Sequence, residues 1–338
     1  NWRIDQGDTR VDEETLRRIH LAPYKIAIEA GAQNIMVSFS SWNGLKMHAH
    51  EYLLTQVLKG EWGFKGFLVS DWMGAHAISD DYYQATVTSI NAGLDMIMVP
   101  FDYKTFIATM IQAVEAGDIT QARIDDAVAR ILRVKFMLGL FEKPITDEGY
   151  MTTFGGADHR ALAREAVQKS AVLLKHENGV LPLGKEGTIA VAGVAANDIG
   201  LACGGWTIVW QGEAGAITAG STLLDGLVAH RGDAITYSAT GDFKTKVDTA
   251  IVVVAEIPYA EGEGDRADLT LSAEDTALIA KVRQNCDKLI LVIYSGRPVL
   301  ITHVIDQCDA VVAAFLPGSE AAGVADVLVG AVPFTGKL

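Results

Sequence analysis

The stretch Gly66-Phe67-Leu68-Val69-Ser70-Asp71-Trp72 decides how this chain folds, because an apolar run of β-forming residues ends abruptly in a carboxylate and an indole. Parallel α/β folds build their active sites at the carboxyl ends of such buried strands. An indole offers a flat apolar face on which a sugar ring can stack. The pattern therefore indicates Asp71 as a catalytic nucleophile acting on a glycoside, although a strand-end aspartate is also often a helix N-cap or a turn residue.

Repeated β-then-α units surround this stretch. Helical periodicity predicts helices over residues 14–30, 50–59, 83–92, 104–116 and 121–138, and apolar runs predict strands over 34–39, 66–70 and 95–99. Thr120 is the predicted N-cap of the last helix. Such alternation implies a parallel sheet. Three strands are too few for the eight of a closed barrel, so this part is either a small open sheet or the rear part of a larger barrel.

A second α/β pattern follows a linker. Residues 142–158 lose periodicity and gather Pro, Gly, Thr and acids, which is typical of a linker. Beyond it, we predict helices over 159–175, 272–284 and 319–329 and strands over 188–194, 234–237, 250–255, 288–293 and 310–315. We therefore expect a first domain over residues 1–142, a linker over 143–158 and a doubly wound second domain over 159–338.

Length and charge restrict the function. The 338 residues exceed what one core usually organises, and no apolar run approaches the roughly 20 residues that span a bilayer. The net charge of −14 argues against a nucleic-acid partner, since phosphates attract clustered Lys and Arg. No histidine or cysteine pattern has metal-ligand spacing, and His48, His50 and His176 are interpreted as packing or turn residues. We predict no metal, no cofactor and no membrane partner; the oligomeric state stays open.

A second carboxylate is needed if the chain cleaves glycosides with retention, because that reaction uses two carboxyls about 5–5.5 Å apart. The strand predicted at 250–255 runs into a Gly-flanked acidic loop, which offers Glu256, Glu261, Glu263 and Asp265. Composition does not choose among these four. The loop could equally be a solvated acidic turn or a divalent-cation site.

Two indoles lie four residues apart in a glycine-rich segment, Cys203-Gly204-Gly205-Trp206-Thr207-Ile208-Val209-Trp210-Gln211-Gly212. Tryptophan is usually buried in a core. Two of them inside a glycine loop are more suggestive of a wall on which sugars stack. Both interpretations remain open from the residues alone.

The chain resembles glycoside hydrolase family 3, in its branch of β-glucosidases and exo-acting β-glucan glucohydrolases. The resemblance covers nearly the whole chain. It rests on the segments 40–44, 66–72, 92–98, 123–128, 163–166, 204–212, 256–265, 295–298 and 334–336, in this order. It implies the rear part of a (β/α)8-type barrel followed by an α/β sandwich domain, and a retaining, exo-acting hydrolase that releases glucose from β-glucans or oligosaccharides.

The resemblance also implies site residues. Asp71 falls on the nucleophile, and Glu261 on the acid/base of the second domain, with Glu263 as the reserve candidate. Trp72 and Trp210 fall on the two indoles that clamp the sugar beyond the cleaved bond. Phe39 and Met98 fall on apolar positions that line the pocket, which the resemblance places between the two domains.

The chain also departs from its relatives. Ala77, preceded by His76, stands where some relatives carry an arginine, and Gln6 stands where some carry a sugar-contacting acid. The resemblance implies a first domain that begins well before Asn1 and a chain end beyond Lys337, so we expect this chain to be truncated at both ends. Relatives are often periplasmic or secreted, which is the expected location.

Three alternatives remain for the function. A catalytically inactive carbohydrate-binding homologue would need the indoles but not both carboxylates. A nucleotide-binding oxidoreductase is suggested by the strand and turn at 189–197, but Gly193 and Gly200 do not form the dinucleotide fingerprint. The N-acetylglucosaminidase branch of the family uses an Asp-His pair in the first domain, and the loop with Glu261 argues against it.

Overall fold

The computed structural model describes residues 6–338 of the chain. It divides into two compact units, Asn1–Asp147 and Glu148–Leu338, and each has its own clusters of buried apolar side chains. Among the described residues, no helix combines the length and the apolar character needed to cross a bilayer.

The first unit contains three parallel segments in sequence order. Its strands are β1 (Asp8–Thr9), β2 (Asn34–Val37), β3 (Ser41–Trp42), β4 (Leu45–Lys46) and β5 (Phe67–Ser70). β2 pairs in parallel with β5, and Val69 of β5 pairs in parallel with Met96. The helical segment Tyr52–Glu61 connects β2 to β5, and the helix Tyr82–Ala92 leads from β5 to the segment that contains Met96. Each new segment lies beside the preceding one, which is the strand order of a (β/α) barrel.

The strand predicted over residues 95–99 is wrong in its extent, because only one residue pairs. Main-chain hydrogen bonds join Met96 to Leu68 and Ser70, at 3.0 and 2.9 Å, and side chains supply the bonds on either side of them. The N–H of Leu68 donates to Asp95 Oδ2 at 2.8 Å, and the N–H of Met98 donates to Ser70 Oγ at 2.8 Å. The segment is thus held against β5 by both main-chain and side-chain hydrogen bonds, and it ends near Asp71.

The helices of the first unit follow the predicted order. They are α1 (Glu13–Thr15), α2 (Ala22–Glu29), α3 (Tyr82–Ala92), α4 (Tyr103–Glu115) and α5 (Gln121–Met137), with wider helical turns at Leu16–His20 and Tyr52–Glu61. The single helix predicted over 14–30 is wrong: it breaks at Leu21, because Pro23 has no N–H for the preceding turn and lies instead in the first turn of α2. The predicted N-cap is confirmed, since Thr120 Oγ1 accepts from the Arg123 N–H at 3.2 Å.

The second unit is built on one six-stranded sheet. Its strands are β6 (Val172–His176), β7 (Ile189–Ala192), β8 (Ile235–Ser238), β9 (Val247–Ala255), β10 (Cys286–Tyr294) and β11 (Ala310–Phe315). Their order is β8-β7-β9-β10-β11-β6, and only β6 runs antiparallel to its neighbour. The parallel strands have the order of a doubly wound, flavodoxin-like sheet, as predicted. The order reverses between β7 and β9, so the loop after β9 opens where such folds bind ligands.

Helices cover both faces of this sheet. They are α6 (Ala157–Ser170), α7 (Ile199–Cys203), α8 (Leu223–Arg231), α9 (Ala273–Arg283) and α10 (Ala322–Leu328). Ser272 caps α9, because its Oγ accepts from the Asp275 N–H at 2.9 Å. The helix predicted over 159–175 is wrong at its end: residues 172–176 pair with the open edge of β11, and that tertiary pairing overrides a local pattern that still reads as helical.

A buried carboxylate joins three helices of the second unit. Asp326 on α10 is 5% exposed and accepts hydrogen bonds from Arg164 at 2.6 and 2.7 Å, Gln168 at 2.6 Å and His230 at 2.7 Å. Burial by itself would raise the pKa of Asp326. The donors from Arg164, His230 and Gln168 outweigh burial and lower the pKa to about 2.

We expect Asp326→Ala to lower the free energy of unfolding by about 2 kcal/mol at pH 7, because it removes the buried acceptor shared by the partly exposed side chains of Arg164, Gln168 and His230. Since the folded pKa is depressed, this contribution is present above about pH 4 and is lost as the pH falls towards 2. Urea unfolding of both proteins at pH 7 and pH 3 measures the difference. Asp287→Ala, which removes an exposed pair with Lys246, is the control and should cost under about 1 kcal/mol. An equal loss in both variants would contradict the prediction.

Candidate active site

Asp71 stands where β5 leaves the core. Leu68 and Val69 are buried, whereas Asp71 is partly exposed. Its main-chain N–H donates to His48 Nε2 at 3.1 Å, and its Oδ1 accepts from the main-chain N–H of Trp72 at 2.7 Å. The carboxylate is therefore held at its backbone and at one oxygen, and Oδ2 has no hydrogen-bond partner within the part of the chain that the structure describes.

The structure brings the other predicted residues of the first unit to the same place. The Phe39 ring lies 5.7 Å from the His48 ring, centre to centre. The Met98 carbonyl accepts from the Met73 N–H at 3.2 Å, two residues beyond Asp71. Phe39, Asp71 and Met98 thus follow the three parallel segments at their common carboxyl end, where (β/α) barrels place their catalytic groups.

Trp72 presents its ring to solvent. The residue is 56% exposed, and its ring meets the exposed ring of Phe101 edge to face, with centroids 6.1 Å apart. A tryptophan that packs in a core is usually buried, whereas this indole is exposed beside a partly exposed carboxylate. The arrangement suits an aromatic surface for a sugar ring.

His48 is the residue of this site that sequence reasoning missed. It is fully buried under the turn after Asp71, and a Cβ on Gly74 would collide with its ring. Burial lowers the pKa of His48 to about 4 against the opposing charge of Asp71. Its Nδ1 is buried without a partner among residues 6–338. Nothing in the local sequence could have revealed the contact, since His48 and Asp71 are 23 residues apart.

His50 and His176 have structural roles, as predicted. His50 stacks on Trp42, with ring centroids 5.4 Å apart, and accepts from the Leu53 N–H. His176 accepts from the Leu181 N–H at 3.3 Å. Across the described residues, no group of three or more His, Cys, Asp or Glu side chains is arranged to hold a metal ion.

The acidic loop after β9 uses one of its carboxylates as an internal brace. Glu256 pairs with Arg266 at 2.9 Å and with Arg297 at 3.2 Å, and it accepts from the Tyr259 hydroxyl at 3.1 Å. A carboxylate with two cations and a hydroxyl around it is committed to holding the loop. We therefore assign Glu256 a structural role.

Tyr259 and Arg297 fix the shape of the loop. The Arg297 guanidinium lies 4.1 Å from the centre of the Tyr259 ring, donates to the tyrosine hydroxyl at 2.7 Å and donates to the Gly264 carbonyl at 2.6 Å. Gly264 packs so tightly on the Tyr259 ring that a Cβ would collide with it. The tip of the loop is thus pre-organised.

Glu261 occupies that tip in a left-handed conformation, with φ of +52°. Such a backbone costs a non-glycine residue about 1–3 kcal/mol and persists where the surrounding structure enforces it. Glu261 and Glu263 are both exposed, and neither carboxylate has a hydrogen bond or ion pair within the described residues. Asp265, by contrast, has a buried Oδ2 without a partner in that same part of the chain. Glu261 and Glu263 are therefore the two carboxylates of this loop that are accessible.

The tryptophan segment packs against this loop. Trp206 and Trp210 are 68% and 52% exposed, and their ring centroids lie 6.5 Å apart. The main-chain N–H of Trp206 donates to the Trp210 carbonyl at 2.9 Å. The Ala260 N–H donates to Gln211 Oε1 at 2.8 Å, which ties the two segments together next to Glu261. The indoles are exposed rather than buried, which favours the interpretation as a stacking wall.

Family comparisons agree with this organisation. Residues 3–134 match the N-terminal domain of glycosyl hydrolase family 3, and residues 171–338 match its C-terminal domain. The chain belongs to glycosyl hydrolase family 3. The predicted family and the predicted pairing of a (β/α)-barrel-type domain with an α/β sandwich domain are confirmed.

Named relatives of this family 3 chain include two β-glucosidases. The lysosomal β-glucosidase of Dictyostelium discoideum is 32% identical over 99% of the chain and 45% of its own length. The periplasmic β-glucosidase of Salmonella typhimurium is 31% identical over 94% of the chain and 47% of its own length. The chain thus spans about half the length of these relatives.

Two solved structures of β-glucan- and β-glucoside-cleaving enzymes are similar to almost the whole chain. A Q683A mutant of an exo-1,3/1,4-β-glucanase from a Pseudoalteromonas species is 41% identical, with a TM-score of 0.93 over 100% of this chain and 57% of that one. A β-glucosidase from Listeria innocua in complex with glucose is 25% identical, with a TM-score of 0.85 over 98% of this chain and 47% of that one.

Proposed function

We propose that the whole protein is a retaining, exo-acting β-glucosidase or β-glucan glucohydrolase. The observation that carries this proposal is the state of Asp71: a strand-end carboxylate in a family 3 barrel-type domain, fixed through its backbone, with one oxygen free of protein partners within the described residues. Asp71 is the nucleophile. Glu261 is the acid/base, supported by its exposure at the tip of a braced loop.

The reaction proceeds in two displacements at one carbon. Asp71 attacks the anomeric carbon of a β-glucoside while Glu261 gives its proton to the departing oxygen. Glu261 then takes a proton from the water that cleaves the glycosyl–Asp71 ester, and glucose leaves with its β configuration restored. Both steps need only these two carboxyls and water, so we propose no metal and no cofactor.

Aromatic and apolar side chains position the sugar. Trp72 and Trp210 supply exposed indole faces for the sugar beyond the cleaved bond, which stacking on π-faces stabilises. Phe39 and Met98 lie around Asp71 and line the position of the glucose that is released.

The relatives support a substrate class and a location for this proposal. One Listeria innocua structure is in complex with laminaribiose, and the Pseudoalteromonas protein is an exo-1,3/1,4-β-glucanase. We propose β-linked gluco-oligosaccharides or glucosides as substrates. A periplasmic or secreted location is supported by the periplasmic β-glucosidase among the relatives.

A 2-deoxy-2-fluoroglucoside with a dinitrophenyl leaving group tests this proposal. The fluorine destabilises the cationic transition states, whereas the good leaving group still allows the first displacement, so the glycosyl-enzyme accumulates. We expect the protein, as its gene encodes it, to release one equivalent of dinitrophenol per site. Peptide mapping should then find the sugar on Asp71.

Glucose should protect the protein from this inactivation, because it occupies the same site. A label on another carboxylate would contradict the assignment of Asp71. Glucoside binding without any labelling or turnover would instead identify an inactive carbohydrate-binding homologue.

A further inference from the structure

The buried imidazole of His48 makes one polar contact within the described structure, and that contact is with the nucleophile's own backbone. His48 Nε2 accepts the Asp71 N–H at 3.1 Å. An imidazole nitrogen accepts only when it carries no proton, so the proton of the neutral ring is on Nδ1. Burial disfavours the charged form and keeps the ring neutral at the pH of most enzymes.

The surroundings of His48 keep its ring in one place. Gly74 leaves no room for a Cβ above the ring, and the Phe39 ring packs against it at 5.7 Å. The Gly74 N–H in turn donates to the Asp71 carbonyl at 2.9 Å. Both the N–H and the C=O of Asp71 are thus fixed by one small cluster, and a shift of the ring would move the carboxylate.

We propose that His48 is a positioning residue that sets the direction of the Asp71 carboxylate through the Asp71 N–H. The proposal rests on the proposed function, in which Asp71 is the nucleophile. His48 touches no reacting atom in this role. It acts before the reaction by restricting the backbone from which the nucleophile projects.

The role has a measurable signature, because misplacing a nucleophile slows bond formation more than it weakens binding. A displacement of about 1 Å in a catalytic group can cost about 100-fold in rate. We expect His48→Leu, which keeps an apolar ring-sized volume but loses the acceptor, to lower kcat about 30-fold to 100-fold with KM changed less than about threefold.

The experiment counts only folded, competent sites. Each variant is titrated with the fluorinated dinitrophenyl glucoside, and kcat is expressed per site that releases dinitrophenol. His48→Gln should recover most of the loss, because an amide oxygen can accept from the Asp71 N–H. His50→Leu is the matched control: it removes another buried imidazole from the same unit and should lower the melting temperature without changing kcat per titrated site.

A second variant removes dependence on the folding of His48→Leu. Gly74→Ala keeps the imidazole but forces it away from the Asp71 N–H, so it should reproduce the loss in kcat. If both variants keep kcat per titrated site within twofold of the wild type, the positioning role is wrong. If the wild-type protein is not labelled at Asp71, the proposed function itself fails, and the two failures are therefore distinguishable.

Discussion

Asp71→Asn is expected to lower kcat/KM for β-glucosides by about 10⁴-fold or more, equivalent to about 5.5 kcal/mol of transition-state stabilisation. The asparagine keeps Oδ1 and so keeps the hydrogen bond from the Trp72 N–H that shapes the turn. It loses only the negative charge that attacks the anomeric carbon. Steady-state kinetics with an aryl β-glucoside measure the loss, and an unchanged melting temperature shows that the fold is intact.

A smaller substitution at the same position separates a lost nucleophile from a damaged site. Asp71→Gly leaves space in which azide can attack the anomeric carbon, and a single displacement inverts the configuration to an α-glucosyl azide. The exposed Asp80→Asn serves as the control and should keep wild-type activity. Activity of Asp71→Asn within tenfold of the wild type would rule out the nucleophile assignment.

The sequence predicts the fold well where local pattern and tertiary packing agree. The strand at Ala310–Phe315 has its predicted bounds, because a continuous apolar run that is mostly buried is typical of the interior of a parallel sheet. Sequence-based prediction fails where contacts with a distant segment determine the local structure. Residues 172–175 continue a helical pattern but belong to a strand that pairs with the open edge of β11. The segment after Leu94 pairs at Met96 alone, and the side chains of Asp95 and Ser70 make the flanking hydrogen bonds.

The candidate site divides in the same way. Asp71 and the acidic loop are visible in the sequence, because each follows an apolar strand and that position is readable along the chain. The contact of His48 with Asp71 is not readable, since it depends on how a distant turn packs beneath β5. The brace formed by Glu256 also needs Arg266 and Arg297, the latter in the segment after β10, and only the folded loop separates this carboxylate from the others.

Glu261→Ala is expected to slow the cleavage of a substrate more, the more its leaving group depends on protonation. For an oligosaccharide or alkyl glucoside, the first displacement should slow about 10²-fold to 10⁴-fold, the usual contribution of general acid catalysis. For a dinitrophenyl glucoside it should hardly change, because that leaving group departs without a proton. Hydrolysis of the glycosyl-enzyme then becomes rate-limiting, and a burst of dinitrophenol should precede slow turnover.

Azide distinguishes this variant from a nucleophile variant, because it replaces the water and gives a β-glucosyl azide, with configuration retained after two displacements. Glu263→Ala is the matched control: it removes an exposed carboxylate two residues away on the same turn. We expect Glu263→Ala to keep its activity on all substrates. A burst and an azide product from Glu263→Ala, with normal behaviour of Glu261→Ala, would transfer the acid/base role to Glu263. The braced loop makes the two variants comparable, since neither carboxylate contributes to the contacts of Tyr259 and Arg297 that hold its shape.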